Sequence, residues 1–387
     1  MKNIKKIFEK NPQSSYKLKL KKGKIVFNNY DEVFSGLTIS KIINFINTVH
    51  KKYKGVNVPL VFSFGDVTLA DKLSYIIFEC ICYSLMKDYH HRVYLYWNPK
   101  SDILTDGVFS CPLKLLNDEA EKNQTKFLKS FKMEIYQHHF RRVISGEEKG
   151  DTNYLGNLLQ ELDTFLKFFS ITEEYRDQIS EVIAELVGNA CEHGDTDCLL
   201  DIDITSDHLK SIKKIPQKGS FYGINIAIVN FSNILLGDGI RDKIDGNKLV
   251  TDRYIELGNA YNYHKQQFTE NYSYTDFCNI AALQDKISGR PQHSLAGGTG
   301  LTKLIHSLQE KSDMNECYVL SGNRCVVFFK DLLNYDEKDW LGFNRQQDFF
   351  KAIPDEDAIT DCRVFLPGTA YNLNFVMKRE DNQDDED

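Results

Sequence analysis

The sequence predicts an α/β fold in two parts, and three observations support this prediction. Short runs of β-branched and aromatic residues alternate with longer helical patterns, as in α/β proteins. The hydrophobic fraction is 42% and the aromatic fraction 12%, enough for a substantial core. A length of 387 residues suits two domains. We expect a small α/β domain over 1–120, a larger α/β domain over 121–378 and an acidic, disordered tail over 379–387.

The small domain is predicted to alternate strands with helices. A short strand over Lys24–Phe27 is followed by a helical pattern over Ile39–Val49. Pro59–Ser63 is apolar enough for a buried strand, and Leu69–Met86 is a long apolar helix. Arg92–Trp97 has the composition of another strand. The first domain is therefore predicted to have a small sheet with helical connections.

The larger domain is predicted to begin with helices. The pattern over 125–169 is mostly helical. A second helix starts after Thr172, a suitable cap, and ends at Gly194, which favours termination. Its apolar positions recur every three or four residues: Ile179, Ile183, Leu186, Val187 and Ala190.

The rest of the larger domain is predicted to be mainly strands, with a helical insertion. Two strands are expected over 199–204 and 223–229, and the segment 250–290 is polar and helical. A strand pair is expected at Cys317–Leu320 and Cys325–Phe329, joined by a turn at Ser321–Asn323. A last strand over 371–376 should follow Pro367-Gly368-Thr369.

Composition excludes several classes of protein. The net charge of −7 argues against broad nucleic-acid binding. The N-terminus lacks the apolar segment of a signal peptide, and no apolar run approaches the length of a membrane span. We expect a cytoplasmic protein that does not bind membranes. The nine cysteines include no Cys-x-x-Cys pair, so buried free thiols are expected and a zinc site is not.

Three polar side chains recur at four-residue steps along the helix that ends at Gly194. Glu185, Asn189 and His193 lie on one face, roughly opposite Ile183 and Val187. An amide oxygen can bind Mg²⁺ without adding charge, and a carboxylate one turn earlier can accept a proton from water. Solvated residues on an amphipathic helix are the alternative interpretation. The helix alone does not decide between the two.

A glycine-rich turn further along the chain favours the interpretation as a binding site. Glycines let the backbone approach an anion closely, and the first amides of a following helix point at phosphate. The turn is followed by a predicted helix over 302–309 and consists of Gly297, Gly298, Thr299, Gly300 and Leu301. The helix and the turn together predict a magnesium-nucleotide site, with Mg²⁺ bound by Asn189.

These motifs resemble those of the GHKL family of ATPases and kinases. The residues that match its N box are Glu185, Asn189, Ala190, His193 and Gly194, and those that match its final glycine box are Gly297, Gly298, Gly300 and Leu301. Ser288 and Arg290 lie in a segment that resembles the lid before that box. The resemblance covers roughly 175–377. It implies a two-layer sandwich, with helices on one face of a mixed sheet, that binds ATP and Mg²⁺.

One position departs from the family pattern. The family has an aspartate at the end of the second strand, which accepts a hydrogen bond from the adenine amino group. Here that strand ends in Asn230, whose amide oxygen can also accept such a bond. Asp238, followed by Gly239, fits the same pattern a few residues later. Both assignments stay open on the sequence.

A fainter resemblance concerns the first domain. The stretch Phe64–Asp71 after a buried strand resembles STAS domains, the anti-anti-sigma fold. In that family a phosphorylatable serine often follows the aspartate, whereas Lys72 stands here. The resemblance therefore implies docking onto the ATPase or a partner rather than a phosphorylation switch. An unrelated small α/β domain is the alternative.

Taken together, the motifs predict an ATP-binding protein. A Mg²⁺-dependent ATPase, or an ATP-driven switch acting on a protein partner, is the leading hypothesis, with Glu185 as the general base. In the switch hypothesis ATP orders the lid, residues 250–296, through Arg290. A serine/threonine kinase of the anti-sigma-factor type and a non-hydrolysing nucleotide-binding module are the alternatives. The expected partners are ATP and a protein, a second copy of the chain included.

Overall fold

The protein combines two β-sheets with helices in stacked layers. The computed structural model describes residues 1–100, 111–117, 120–136, 138–146, 148, 153–169, 171–194, 196–205, 221–285, 287, 304–305 and 317–378. An N-terminal unit carries the first sheet, and a C-terminal unit carries the second. Among the described residues, none of the helices combines the length and apolar character needed to cross a bilayer.

The helices and strands alternate along the chain. The first sheet contains β1 (Lys19–Lys21), β2 (Lys24–Asn28), β3 (Val33–Phe34), β4 (Leu60–Leu69) and β5 (Val93–Lys100). The second sheet contains β6 (Met133–Tyr136), β7 (His139–Ile144), β8 (Cys198–Thr205), β9 (Phe221–Phe231), β10 (Tyr318–Val327) and β11 (Ile359–Lys378). The helices are α1 (Lys6–Lys10), α2 (Gly36–Lys52), α3 (Lys72–Lys87), α4 (Glu121–Ser130), α5 (Tyr154–Lys167), α6 (Glu173–Gly194), α7 (Asp238–Asp245), α8 (Asp252–His264) and α9 (Tyr274–Ala282).

The first sheet is built around β4. Strands β2, β3 and β5 pair with β4 in parallel, and β1 pairs with β2 antiparallel. Parallel neighbours need long crossovers, which α2 and α3 supply. Ser35 forms a capping box with Thr38 at the start of α2. Asp71 caps α3 by accepting a bond of 2.6 Å from the Ser74 amide.

The second sheet has six strands in the order β10-β11-β9-β8-β7-β6. Every described pair in it is antiparallel, whereas the family resemblance implied a mixed sheet. Alternate residues of β8 and β9 point to opposite faces. One face, which includes Leu200 and Ile226, packs with α5 and α6 in the larger core. The opposite face, which includes Leu199 and Val229, packs with the N-terminal unit.

Helix α3 lies between the two sheets. Every residue from Lys72 to Met86 is buried, so this helix is covered on all sides. It contacts β4 and β5 of its own sheet and β9 and β11 of the other. Most of its residues are apolar, and its buried charged residues Lys72 and Glu79 form ion pairs with the second sheet, so the helix is suited to such a position. The expected docking of the first domain onto the larger one is therefore present within the chain.

The first core extends beyond residue 120. Phe127 and Phe131 are fully buried in it, and the rings of Tyr83 and Phe131 stack at 4.0 Å. Gln124 of α4 bonds to both the amide and the carbonyl of Val93 in β5. The proposed division at 120 thus falls immediately before a helix that packs on the N-terminal unit.

Two element assignments were wrong. The segment 125–169 was expected to be mostly helical, but it contains the hairpin of β6 and β7, because β7 pairs along β8. The strand pair expected around Ser321–Asn323 is instead one strand, β10, which continues along β11. Gly322 has a φ of +61° at a register shift there, a conformation that glycine adopts readily.

The described part of the lid is folded. Helices α8 and α9 confirm the helical pattern over 250–290. Phe277 of α9 packs in the larger core beside Phe349, whose ring stacks on Trp340 at 4.9 Å. Arg324 of β10 bonds through Nε to Asp276 at 2.5 Å. The described residues 250–285 therefore form a packed helical layer, and the ordering of the lid by ATP stays a prediction.

All nine cysteines are free thiols, as expected. Eight of them are buried, and Cys362 alone is partly exposed. Burial of a thiol in an apolar core is common and needs no bound metal.

Candidate functional site

Helix α6 carries the first two residues of the predicted site. The Thr172 hydroxyl accepts a bond of 3.4 Å from the Tyr175 amide, which confirms the predicted cap. The predicted apolar stripe is packed into the core. Glu185 and Asn189 are half-buried on another face, and Asn189 Nδ2 donates to Glu185 Oε1 at 3.4 Å. The carboxylate and the carboxamide are therefore held side by side, as the four-residue spacing predicts.

Asn230 lies at the end of β9, close to the last turns of α6. Its side chain is 2% exposed. Its amide nitrogen donates to the Ala190 carbonyl at 3.1 Å and to the Thr196 hydroxyl at 2.5 Å. These two bonds orient the carboxamide and leave its oxygen as the acceptor for any further partner.

Asn189 and Asn230 line the same small cavity. It has a volume of about 70 Å³ and lies between α6, the segment after β9 and β11. Its lining residues are Leu186, Asn189, Ala190, Asn230, Ile234, Leu235, Leu236, Thr369 and Tyr371. Apolar walls with a few converging polar groups are typical of binding sites, but pockets for whole ligands measure roughly 300–1,000 Å³, so this cavity is large enough for only part of a nucleotide.

Thr369 is a lining residue that the sequence interpretation did not single out. It pairs with Asn230 across β9 and β11. The preceding Gly368 has a φ of +107°, and a Cβ there would lie 2.3 Å from the Asn230 carbonyl oxygen. Only glycine fits so close an approach. The Pro-Gly-Thr segment, expected before the last strand, is thus inside β11, where it sets Thr369 against Asn230.

Ser321 fixes the outer wall of the cavity. Its hydroxyl donates to the Gly368 carbonyl at 2.7 Å and accepts from the Leu236 amide at 2.9 Å. This links β10, β11 and the segment after β9. The cavity is therefore surrounded by hydrogen-bonded backbone rather than by side chains alone.

Asp238 and Gly239 are placed differently from Asn230. Both lie in the first turn of α7, and neither lines the cavity. Asp238 Oδ2 accepts a bond of 2.8 Å from the Leu235 amide, so its carboxylate is bonded to the segment that precedes α7. Of the two alternatives for the adenine-binding acceptor, the geometry favours Asn230.

The phosphate-binding part of the prediction lies outside the described residues. It comprises Ser288, Arg290, Gly297, Gly298, Thr299, Gly300 and Leu301. His193 and Gly194 belong to the last turn of α6, as predicted, and the side chain of His193 is likewise outside the described part. The structure thus brings Glu185, Asn189 and Asn230 together and leaves the glycine turn a prediction.

A second group of polar side chains lies between α3 and the second sheet. We call it the Lys72 network, and it consists of Lys72, Tyr75, Glu79, His139, Arg141, Asp201 and Asp203. All seven are buried. The sequence interpretation missed it, although the alternation of Asp201 and Asp203 in a strand places both side chains on one face.

The network pairs each cation with carboxylates. Lys72 Nζ contacts both Asp201 and Asp203, and the Tyr75 hydroxyl donates to Asp203 at 2.6 Å. Arg141 contacts Asp201 through Nε at 2.5 Å and bonds to Glu79 through both terminal nitrogens. These pairs join α3 of the N-terminal unit to β7 and β8.

The ion pairs overcome the cost of burial for two of these groups. Burial alone would lower the pKa of Lys72, but the adjacent carboxylates of Asp201 and Asp203 raise it above its ordinary value. Burial alone would raise the pKa of Asp201, but Arg141 and Lys72 hold it well below its ordinary value. Both groups are therefore charged at neutral pH.

Part of the network has the composition of a metal site. The donor atoms of His139, Asp201 and Asp203 lie within 4.8 Å of one another, and His139 Nε2 is 2.8 Å from Asp201. Asp201 and Asp203 lie about sixty residues after His139 in the sequence and reach it because β8 pairs with β7. Lys72 and Arg141 already contact these carboxylates. The cluster is therefore an internal ion-pair network rather than an open coordination site.

Comparison with known proteins finds no matching family model, no matching curated protein and no matching solved structure. The chemistry of the cavity is therefore interpreted from its own residues.

Proposed function

We propose that the protein binds ATP with Mg²⁺ at a site that includes the cavity beside α6, as an ATPase or an ATP-driven switch that acts on a protein partner. One observation carries the proposal. Asn189 and Asn230, both predicted on sequence to bind the nucleotide, come from distant elements and line one cavity, with Glu185 one turn away. Polar residues that are merely solvated on an amphipathic helix would not be expected to line one cavity together with a residue from a distant strand.

The proposal gives Asn189 and Glu185 different roles, according to the chemistry of their side chains. The Asn189 side-chain oxygen is a hard ligand of the kind that Mg²⁺ binds. Glu185, which accepts from the amide nitrogen of Asn189, is suited to take a proton from an attacking water. Asn189 thus positions both the metal ion and the base. In this proposal the phosphates bind at the glycine turn 297–301, whose amides would face them.

The Asn230 oxygen is suited to recognise the base. Its amide nitrogen is engaged by Ala190 and Thr196, so the oxygen is oriented as an acceptor. Adenine presents an amino donor, whereas guanine presents a carbonyl acceptor at the same ring position. Two acceptors facing each other would disfavour GTP.

Asn189→Ala tests the proposal directly. We expect it to abolish Mg²⁺-dependent ATP binding in titration calorimetry, because it removes the side-chain oxygen proposed as the Mg²⁺ ligand. Asp177→Ala is the matched control, since Asp177 is an exposed acidic residue on the same helix. Equal ATP affinity in a folded Asn189→Ala protein and in the control would refute the proposed site.

Replacing Asn230 or Asp238 separates the two assignments for base recognition. We expect Asn230→Ala to reduce the preference for ATP over GTP by about tenfold, the value of one hydrogen bond. Asp238→Ala should leave the preference unchanged, because Asp238 bonds to the Leu235 amide and does not line the cavity. The measurement is competition between the two nucleotides for a fluorescent ATP analogue. The reverse result would move base recognition to Asp238.

A further inference from the structure

A second cavity lies where the N-terminal unit meets β10 and β11. Its volume is about 330 Å³. The beginnings of α2 and α3 form one side, and two cysteines of the second sheet form part of the other. The residues that matter are Gly36, Asp71, Tyr318, Cys325, Cys362 and Arg363. Sites between two structural units are common places for chemistry.

Cys325 and Cys362 are neighbours on adjacent antiparallel strands. Cys325 pairs with Thr360, and Arg324 pairs with Asp361. A register shift lies between Gly322 and Arg324, so Cys362, just beyond Asp361 in β11, lies where the ladder is irregular. Cys362 is two residues beyond Thr360, the partner of Cys325, and both cysteines line the cavity. Two thiols on adjacent strands at the wall of one cavity form a pair rather than two isolated cysteines.

The two thiols differ in access. Cys325 is 5% exposed, whereas Cys362 is the one partly exposed cysteine of the chain. Oxidation of cysteine depends on access and on thiolate character. The hydrogen bond from Cys325 lowers the pKa of Cys362, and the same bond, together with burial, raises the pKa of Cys325. Cys362 is therefore both the more accessible of the two thiols and the one whose pKa is lowered.

We propose that Cys325 and Cys362 form a dithiol site that hydroperoxides oxidise to a reversible disulfide. Cys362 is the residue that reacts with the peroxide, and Cys325 is the thiol that resolves the product. Neither residue belongs to the nucleotide cavity. The inference therefore stands apart from the proposed binding of ATP.

The reaction balances with hydrogen peroxide as the oxidant. The Cys362 thiolate attacks one peroxide oxygen, so an S–O bond forms, the O–O bond breaks and hydroxide leaves as water after protonation. The sulfur of Cys362 is oxidised by two electrons, and the peroxide is reduced. Cys325 then attacks that sulfur, so the S–S bond forms, the S–O bond breaks and a second water leaves. Two thiols and one peroxide give one disulfide and two waters.

A second thiol pair in the chain provides an internal comparison. The neighbouring Cys191 thiol, together with burial, raises the pKa of Cys198, and both residues are 0% exposed. This pair lies in the larger core between α6 and β8. Its two thiols are also neighbours, but neither is accessible to solvent. The proposal therefore predicts that this pair stays reduced when hydrogen peroxide oxidises Cys325 and Cys362.

The disulfide would form beside a structural ion pair. Arg324, next to Cys325, bonds to Asp276 of α9 and contacts Asp361, next to Cys362. Closing the two strands at this point changes the backbone that holds Arg324. The oxidised site would therefore act on the helical layer of α8 and α9.

The experiment treats the folded full-length protein with hydrogen peroxide and maps its cysteines by alkylation and mass spectrometry. The proposal expects one linked peptide pair, Cys325 with Cys362, which dithiothreitol releases. Its formation should be about tenfold or more faster than oxidation of Cys191 or Cys198, since access differs. In Cys325→Ser the reaction should stop at a sulfenic acid on Cys362, which dimedone traps. In Cys362→Ser, Cys325 should stay reduced.

Three outcomes would overturn the proposal. The first is that Cys362 is oxidised no faster than Cys191 and Cys198 in the wild-type chain. This comparison does not depend on the folding of any variant. The second is oxidation of Cys362 beyond the sulfenic acid without any disulfide. The third is stoichiometric zinc in the purified protein that is lost in both serine variants, because a metal-bound pair is a different site. None of these readouts depends on ATP.

Discussion

Replacing Glu185 with glutamine is expected to lower ATP turnover by about a hundred- to ten-thousand-fold while ATP binding persists. Glutamine keeps the size of the side chain and an oxygen that can accept from Asn189 Nδ2, as Glu185 does at 3.4 Å. It cannot take a proton from water, so the chemical step alone is lost. Phosphate release and nucleotide affinity, measured on the same preparation, separate the two effects.

Glu181→Gln is the matched control for this variant. Glu181 is an exposed carboxylate on the same helix, one turn before Glu185. Equal phosphate release by Glu185→Gln and wild type would remove Glu185 from the mechanism. If neither protein releases phosphate, a non-hydrolysing module is the better description. Transfer of the γ-phosphate to a serine or threonine of a partner would identify the kinase instead.

The second large effect concerns the Lys72 network. We expect Lys72→Met to lower the free energy of unfolding by about 3–5 kcal/mol, because it leaves two buried carboxylates without their shared cation. The lost ion pairs join α3 to β8, so the interface between the two units should weaken. Urea unfolding followed by circular dichroism measures the change.

Lys41→Met is the control for the loss of a lysine charge. Lys41 pairs with Asp31 at 2.6 Å, but its side chain is 45% exposed, so we expect a change below about 1 kcal/mol. Adding Asp203→Asn to Lys72→Met should restore part of the stability, since one unpaired charge is removed. Similar small losses for both lysine variants would mean that water screens the network.

Local patterns in the sequence predicted most of the fold. The capped helix from Thr172 to Gly194 was predicted from its cap, its stripe and its terminal glycine, and the structure confirms it. The same spacing predicted that Glu185 and Asn189 lie side by side. These features depend on residues close in sequence, so they can be recognised in the amino-acid sequence alone.

Features that depend on distant residues were missed. Strands β6 and β7 exist because β8 offers an edge to pair with, and the helical pattern over 125–169 gave no sign of that partner. Thr369 enters the cavity only because β11 runs beside β9. The sequence interpretation considered Lys72 only as the residue at the position where STAS domains often have a serine. Its ion-pair partners, Asp201 and Asp203, lie more than a hundred residues further along, so the pairing could not be recognised.

The burial of α3 on all sides has a consequence for how the chain can be divided. This helix belongs to two hydrophobic interfaces at once, so neither sheet is fully covered without it. A fragment that began at residue 121 would present Leu199, Val229 and Phe231 to water, together with the carboxylates of Asp201 and Asp203. Such a surface promotes aggregation. We therefore expect the two units to unfold together, and function has to be assayed on the whole chain.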